Sequence, residues 1–136
     1  MRIPLLLLFI LLFVSCDLDY NDENISFEKI EILSVDAPTE AVVGTQYEIL
    51  FEYGLSSSCE DFFNAEIESP SDEIKIITAY AEVENKDICS EIYETGTESF
   101  IFEPNQIGSY IFKFWAGVDA SGADEFVVHE ITISEL

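Results

Sequence analysis

The fold is decided by the stretch GSYIFKFWAG, residues 108–117. Its large apolar side chains recur at every second position, which is the spacing of a β-strand that buries one face. One face carries four of them: Tyr110, Phe112, Phe114 and Ala116. An amphipathic helix would instead repeat its apolar residues every three or four positions. The stretch therefore predicts a strand that covers a hydrophobic core.

The same alternation continues outward from this stretch along the chain. Turn-forming residues, mostly Gly, Pro, Asn, Asp and Ser, separate the alternating runs. In one run, Phe63, Ala65 and Ile67 are predicted to share the buried face. The runs predict seven strands: residues 27–35, 45–54, 61–68, 74–84, 97–103, 108–117 and 124–134. Seven strands with one buried face each are typical of an antiparallel β-sandwich.

A local motif makes this prediction more specific. Residues 106–112 read QIGSYIF and resemble the D-x-G-x-Y-x-C signature found before strand F of immunoglobulin-like domains. The resemblance implies that the Tyr110 hydroxyl bonds to an upstream backbone group and fastens the corner. Phe112 replaces the cysteine of the signature, so the intersheet disulfide of antibody domains is not expected. We expect an all-β, immunoglobulin-like sandwich over residues 27–136.

The first 16 residues, MRIPLLLLFILLFVSC, have the composition of an export signal. One arginine precedes the apolar run 3–14, which at twelve residues is shorter than the ~20 residues of a membrane-spanning helix. The run ends in a V-S-C triplet that resembles the lipobox of bacterial lipoproteins. The resemblance implies cleavage of residues 1–15 and lipidation of Cys16, which would hold the protein on a membrane. An ordinary secretory signal with an incidental cysteine is the alternative.

The segment that follows, residues 16–26, is predicted to be a polar tether. Its acidic start, DLDYNDEN, resembles the export signal of Bacteroidota surface lipoproteins. The remaining chain, with its two cysteines and its Y-x-F-x-F-W-x-G run, resembles small uncharacterised lipoproteins of that group. The resemblance implies lipid attachment to the outer membrane with the domain at the cell surface, and it implies no known activity. Asp17 leaves retention in the inner membrane open, because the sorting rule of proteobacteria reads an aspartate there as a retention signal.

The charge of the chain excludes some classes of function. The 136 residues include 28 acidic and 5 basic ones, for a formal net charge of −23. A protein that binds nucleic acid or anionic headgroups through a basic patch needs a cluster of Lys and Arg. So few basic residues cannot supply one, and nucleic acid is excluded as a partner. The length allows one domain of ordinary size.

Two cysteines remain once Cys16 is lipidated. Cys59 and Cys89 would lie on an oxidising side of the membrane, where disulfides persist. Free thiols and a metal site are alternatives, although two cysteines without neighbouring histidines make a poor zinc site. We favour a disulfide that ties residues 56–61 to residues 86–91. By the loop-entropy argument such a bridge stabilises the fold by about 3.5 kcal/mol.

The residues with catalytic chemistry do not form a recognisable constellation. His129 is the only histidine, and in a hydrolase triad it would have to activate a serine such as Ser109 or Ser121. No nucleophile motif surrounds either serine. A histidine within a strand more simply makes one structural hydrogen bond. We expect neither an enzyme nor a bound cofactor.

One turn has the composition of a weak calcium site. Asp119, Asp124 and Glu125 place carboxylates close together in sequence, as weak extracellular calcium sites do. A turn that is merely rich in turn-forming residues is the alternative, and we favour it.

Trp115 is the strongest candidate for recognition. With Ile111 and Lys113 it lies on the strand face opposite the predicted core. A tryptophan there serves as an interface anchor or a sugar platform. Cover by an adjacent loop or by the strand at residues 74–84 is the alternative, and we favour it. The sequence thus predicts a membrane-anchored, non-catalytic module that binds a protein or a glycan. The alternative is a weak calcium-dependent adhesion or glycan-binding module.

Overall fold

A computed structural model describes residues 24–136, which form nine β-strands and no helix. The strands are β1 Ile25–Ile30, β2 Ile32–Asp36, β3 Glu40–Val42, β4 Tyr47–Ser57, β5 Glu60–Glu68, β6 Ile74–Glu84, β7 Glu91–Phe102, β8 Gly108–Val118 and β9 Asp124–Ser134. Thus β1 begins within the stretch predicted as tether. A helix able to cross a membrane does not occur among these residues. The signal segment and Cys16 lie outside the described part of the chain.

The strands form two sheets. The smaller sheet has the order β2-β4-β7. The six-stranded sheet has the order β1-β6-β8-β9-β3, and β5 also pairs with β6. On one edge of β6, β1 pairs with residues 79–84 and β8 pairs with residues 74–77. The register of β5 overlaps both of these ranges, so β5 occupies the opposite edge of β6.

The sheets are not wholly antiparallel, which corrects the expectation from sequence. β6 runs parallel to β8, and β3 runs parallel to β9. Parallel neighbours need a crossover connection. β7 supplies one, because the chain leaves β6, crosses to the smaller sheet, and returns as β8 in the direction of β6. β3 is a short strand that the alternation did not indicate.

The first predicted strand, residues 27–35, is two strands in different sheets. β1 belongs to the six-stranded sheet and β2 to the smaller one, with Glu31 between them. Ile30 and Ile32 are both buried, so the chain passes from one sheet to the other without leaving the core. The Glu31 carbonyl accepts a hydrogen bond from the Gly54 N–H at 3.1 Å, which ties the crossing point to β4.

Side chains from both sheets fill one hydrophobic core. The predicted inner face of β8 is buried, with Tyr110, Phe112 and Phe114 each at most 3% exposed. Phe102 of β7 packs its ring edge-on against Phe112, with the ring centroids 4.9 Å apart. Full burial of a side chain of this size contributes about 1.5–3 kcal/mol. Other large core residues are Ile32, Ile49, Phe51, Ile77 and Ile131.

A bulge in β5 overturns the predicted orientation of Phe63, whereas Ala65 packs against the core as predicted. Phe62 pairs with Ala81 and Asn64 pairs with Tyr80, so Phe63 is an extra residue in the strand. Phe62 therefore packs against the core, while Phe63 is 51% exposed. The extra residue shifts the side-chain alternation by one position, which a strict period of two does not anticipate.

The corner before β8 is fastened in a way that differs from the resemblance. The Tyr110 hydroxyl donates to the side-chain Oδ1 of Asn105 at 3.1 Å, not to a backbone group. The Tyr110 ring packs edge-on against Phe102, with centroids 5.1 Å apart. The hydroxyl therefore ties the β7–β8 loop to β8, while the ring contacts the end of β7.

A disulfide joins Cys59 to Cys89, the pairing favoured from sequence, with the two Cα atoms 5.6 Å apart. Two hydrogen bonds accompany it. The Ser58 N–H donates to the Ser90 carbonyl at 3.0 Å, and the Ser90 N–H donates to the Ser58 hydroxyl at 2.9 Å. These contacts hold the β4–β5 turn against the start of β7. β7 accordingly begins at Glu91, several residues earlier than the alternation predicts.

Candidate functional site

The six-stranded sheet turns a partly apolar face away from the core. We name it the outer sheet face and define it by eight residues at outward positions of four strands: Lys29, Ile76, Tyr80, Ile111, Lys113, Trp115, Phe126 and Val128. They alternate with the buried residues of the same strands. Val128 is 58% exposed, and the three aromatic members are half-buried.

The three recognition residues predicted from sequence lie in a row on this face. Ile111, Lys113 and Trp115 are all half-buried. Lys113 lies between Val128 of β9 and Ile76 of β6 in the strand register. A lysine in such a place lays its methylene chain over aliphatic neighbours while the ammonium group stays in water. These three residues therefore present an apolar surface next to the sheet, and the positive charge of Lys113 lies farther out, in water.

Two polar contacts hold Trp115. Its indole N–H donates to Asp124 Oδ1 at 2.8 Å. The Lys29 ammonium nitrogen lies 5.3 Å from the ring centroid, within range of a cation–π interaction. The indole thus has a defined orientation at the margin of the outer sheet face.

A groove of about 260 Å³ opens beside Trp115 where the chain crosses from β1 to β2. We name it the strand-switch groove. Its lining includes Lys29, Glu31, Gly54, Glu60, Tyr93 and Trp115. Glu60 is already engaged, since its carboxylate accepts hydrogen bonds from the Ser56 N–H at 2.7 Å and from the Ser56 hydroxyl. Two aromatic side chains and the Glu31 carboxylate remain to contact a ligand.

Two glycines make room for this groove. A Cβ on Gly54 would lie 3.0 Å from the Tyr93 hydroxyl oxygen, so the tyrosine lies over bare backbone. Gly117 has a φ of +109°, and a Cβ there would lie 2.7 Å from a carboxylate oxygen of Glu31. An isolated glycine within a strand indicates such a close approach. In the sequence, these two glycines were the only signals for a close approach by Tyr93 and Glu31. No sequence signal indicated that Lys29 belongs to the site.

The carboxylates considered for calcium have other partners. Asp119 Oδ1 accepts hydrogen bonds from the Ser121 N–H, the Ser121 hydroxyl and the Ala123 N–H, at 2.6–3.0 Å. The hydrogen bond from the Ser121 hydroxyl, followed by those from the backbone N–H groups, lowers the pKa of Asp119. Asp124 accepts the indole N–H of Trp115, and Glu125 is exposed. Across residues 24–136, no three His, Cys, Asp or Glu side chains are grouped to hold a metal ion.

His129 and the two serines are not brought together. The His129 Nε2 lies 3.0 Å from the Pro38 carbonyl oxygen, so this nitrogen carries a proton and donates it. The Ser109 hydroxyl bonds to Glu130, and the Ser121 hydroxyl bonds to Asp119. His129 thus makes the single structural hydrogen bond predicted for it.

Carboxylates border the outer sheet face along β5. Glu66 and Glu68 take outward positions next to β6. Burial, with repulsion from Glu66 and Glu68, raises the pKa of the Tyr80 hydroxyl. Among the described residues the only salt bridge joins Lys86 to Glu84. The lysines of the outer sheet face therefore stand outside ion pairs within a strongly acidic molecule.

Comparison of the chain with protein families, with curated proteins and with solved structures finds no match.

Proposed function

We propose that this chain is a lipid-anchored envelope protein whose β-sandwich is a non-catalytic binding module. The outer sheet face carries the proposal. The solvent-facing side of an antiparallel sheet is ordinarily polar, whereas this one presents Tyr80, Trp115, Phe126 and Val128. Exposed apolar patches rimmed by polar residues mark interaction sites. The carboxylates of β5 form such a rim on one side.

The composition of this face suits an interface anchor. Trp and Tyr are enriched among the residues that contribute most to binding. Asp124 and Lys29 already orient Trp115. A side chain that is ordered before binding loses less conformational entropy when a partner covers it. Trp115, with Ile111 and Lys113 beside it, is therefore the proposed centre of the contact.

The fold of the module is proposed to be immunoglobulin-like. The QIGSYIF stretch and the upstream hydrogen bond of Tyr110 support this class. Two sheets around one core also support it. The parallel pairing of β6 with β8 departs from it, since the sheets of the class are antiparallel.

The anchor rests on the N-terminal sequence. A cysteine that carries two or more acyl chains is held stably on a membrane. Cys16 is the proposed lipidation site, and the outer membrane at the cell surface is the proposed location. The first described strand begins at Ile25, nine residues after Cys16 in the sequence.

The anchor is tested by the substitution Cys16→Ala in the expressing cell. We expect uncleaved precursor, loss of radiolabelled palmitate, and loss of partitioning into the detergent phase. Cys89→Ala, which removes another cysteine, should retain the palmitate label. Unchanged detergent partitioning of the Cys16→Ala protein would contradict the anchor.

The binding face is tested with a photoreactive amino acid placed at Val128 in one protein and at Ser34 in another. Both positions are exposed, but Ser34 lies on β2 of the smaller sheet. We expect a discrete cross-linked species in cells from Val128, none from Ser34, and loss of the Val128 product when Trp115→Ala is added. Equal cross-linking from both positions would refute a dedicated face.

The strand-switch groove favours glycan binding as the second candidate function. Tyr93 and Trp115 flank a concave site that also holds Glu31. Aromatic faces beside hydrogen-bonding groups suit a sugar ring. Calorimetric titration of the protein with envelope oligosaccharides, with and without calcium, tests this candidate. Binding that Tyr93→Ala abolishes and Val128→Lys preserves would favour the groove over the outer sheet face.

A further inference from the structure

β7 has one edge that no strand covers. It pairs with β4 and with no other strand of the described chain. In an antiparallel pair, alternate residues direct both N–H and C=O toward the neighbour, and the others direct them away. Its register with β4 is unbroken from Glu94 to Phe102. About half of the residues in this segment therefore present unpaired backbone groups along a regular edge.

The free edge of β5, in the six-stranded sheet, is less suited to accept another strand. It contains the bulge at Phe63, and acidic residues occupy several of its positions. Bulges and charges are the features by which proteins block pairing at an edge. β7 has no such bulge between Glu94 and Phe102. Of the other free edges, that of β1 is regular but only six residues long, that of β2 contains a register shift, and that of β3 has three residues. The longest regular free edge in the described chain is therefore that of β7.

A cleft of about 410 Å³ lies beside the end of this edge. We name it the edge cleft. Its apolar walls are Phe100 and Phe102 of β7, Ile67 of β5, and Tyr110 and Phe112 of β8. Ile67 is 47% exposed and Phe100 is half-buried, so the cleft leads from solvent to the core. Its volume falls within the range of small-ligand pockets.

We propose that the free edge of β7, residues 94–102, binds an extended cationic peptide segment as an added strand. Such a strand would lie about 4.8 Å from β7, over the mouth of the edge cleft. Successive side chains of a strand point to opposite faces. An inward side chain of the added strand that lies beside Phe100 therefore enters the cleft, where Ile67 and Phe100 favour an aliphatic group. This surface is independent of the outer sheet face.

The charged residues around the edge cleft determine whether a cationic or an anionic peptide is favoured. Asp72 and Glu103 are among the residues that line the edge cleft. Glu98 of β7 contributes, after burial, to raising the pKa of the Tyr53 hydroxyl on the neighbouring strand. Glu94 takes the same inward phase as Glu98. The one lysine lining the cleft, Lys75, donates to the Ser69 hydroxyl at 3.0 Å. Basic side chains on the same face of the added strand as the aliphatic one would complement this field.

A second copy of the chain is disfavoured as the occupant. Pairing two β7 edges would bring Glu91, Glu94 and Glu98 of one copy close to the same residues of the other. Like charges placed opposite each other destabilise a strand pair. A net charge of −23 on each copy adds to the repulsion.

The probe is a fluorescein-labelled peptide, Lys-Thr-Ile-Thr-Lys-Thr-Lys, whose isoleucine and lysines share one strand face. It is titrated onto the full lipidated protein in detergent micelles and followed by anisotropy. A control peptide of the same charge carries proline in place of isoleucine, and it cannot complete the backbone pairing. At about 0.15 M salt we expect the proline peptide to bind at least roughly tenfold more weakly, equivalent to about 1.4 kcal/mol. Equal binding of the two peptides would reveal charge attraction alone and overturn the proposal.

A matched pair of variants locates the site. Ile67→Lys places a cation at the edge cleft, and Val128→Lys makes the same change on the outer sheet face. Both residues are about half exposed, so both proteins should fold, which a thermal melt checks. We expect roughly tenfold weaker peptide binding for Ile67→Lys and unchanged binding for Val128→Lys. Weaker binding for Val128→Lys with unchanged binding for Ile67→Lys would show that the peptide binds the outer sheet face. That result would overturn this proposal.

Hydrogen exchange gives a readout that does not depend on variants. The bound peptide should slow amide exchange within residues 94–102 and leave residues 60–68 unaffected. Protection of β5 alone would contradict the proposal. A dimer observed by sedimentation without peptide, with β7 amides protected in it, would also overturn it in favour of self-pairing.

Discussion

The outer faces of the two sheets differ in chemistry although the sheets share one core. The smaller sheet presents mainly polar and acidic residues on its outer face: Ser34, Asp36, Glu48, Glu52, Thr95, Thr97 and Ser99. Some of them satisfy each other, as when the Ser99 hydroxyl donates to Glu48 at 2.7 Å. On the six-stranded sheet, the residues of the outer sheet face are aromatic, aliphatic or lysine, and the carboxylates of Glu66 and Glu68 border them on β5.

The outer face of the smaller sheet is suited to contact with water alone, whereas the outer sheet face is suited to bind a partner. Both sheets bury large apolar residues on their inner faces, such as Phe51 and Phe112, so the requirement of a core does not explain the contrast. Apolar residues at outward positions contribute little to folding while they remain in water. Their place on the outer sheet face is therefore better explained by recognition. The predictions below test this distinction, beginning with the largest expected effect.

The largest effect is expected from Phe112→Ala, an inward change on β8. The Phe112 side chain is 1% exposed, and truncating a buried phenylalanine costs about 3–5 kcal/mol. The matched outward change, Lys113→Ala, should alter the free energy of unfolding by less than about 0.5 kcal/mol. Urea titration measures both. An equal loss from Lys113→Ala would assign the outer sheet face a structural role.

Removing the disulfide with Cys59→Ser and Cys89→Ser should lower the free energy of unfolding by about 3 kcal/mol. The bridge spans a sequence separation of 30 residues and holds the start of β7. Hydrogen exchange should therefore accelerate in the first residues of β7 more than in β8. Uniform acceleration across both sheets would show that the bridge does not act locally on the smaller sheet.

A smaller effect is expected from Trp115→Phe, which removes the hydrogen bond from the indole to Asp124. One such bond contributes about 0.5–1.5 kcal/mol, and we expect the free energy of unfolding to fall by that amount. A double-mutant cycle with Asp124→Ala isolates the interaction. Additive losses in the cycle would mean that Asp124 does not orient the tryptophan.

The smallest effect concerns the β8–β9 turn, which adjoins the outer sheet face. Because hydrogen bonds lower the folded pKa of Asp119, its stabilising contribution is present at neutral pH. That contribution is lost as the pH falls through the lowered pKa. Amide chemical shifts of Ser121 and Ala123 should report the change during an acid titration. The same shifts should be insensitive to this transition in Asp119→Asn, which carries no titrating group there.

Much of the fold could be predicted from local patterns. The strands at residues 74–84 and 124–134 have the predicted bounds because their alternation is regular from end to end. The inner face of β8 was also predicted, because exposing side chains as large and apolar as Phe112 and Phe114 to water is unfavourable. The alternation failed at Phe63, where the bulge adds a residue. It also failed at Glu31, where the chain changes sheets with both neighbouring isoleucines still buried.

The candidate sites divide in the same way. Trp115, Ile111 and Lys113 could be assigned to one outward face because they share the phase of a single strand. The strand-switch groove could not be predicted, because Tyr93 and Glu31 come from strands distant in sequence. The free edge of β7 could not be predicted from sequence for a related reason. The pattern within one strand does not indicate which other strands pair with it.

The sequence by itself determined the all-β class, most strand positions, the buried side chains of β8 and the acidic character of the surface. These properties depend on side chains and their spacing along one strand. Only the tertiary structure decided that β6 and β8 run parallel, that β1 and β2 belong to different sheets, and that β7 is left with a free edge. The physical reason is that strands pair through backbone N–H and C=O groups, which are the same in nearly every residue.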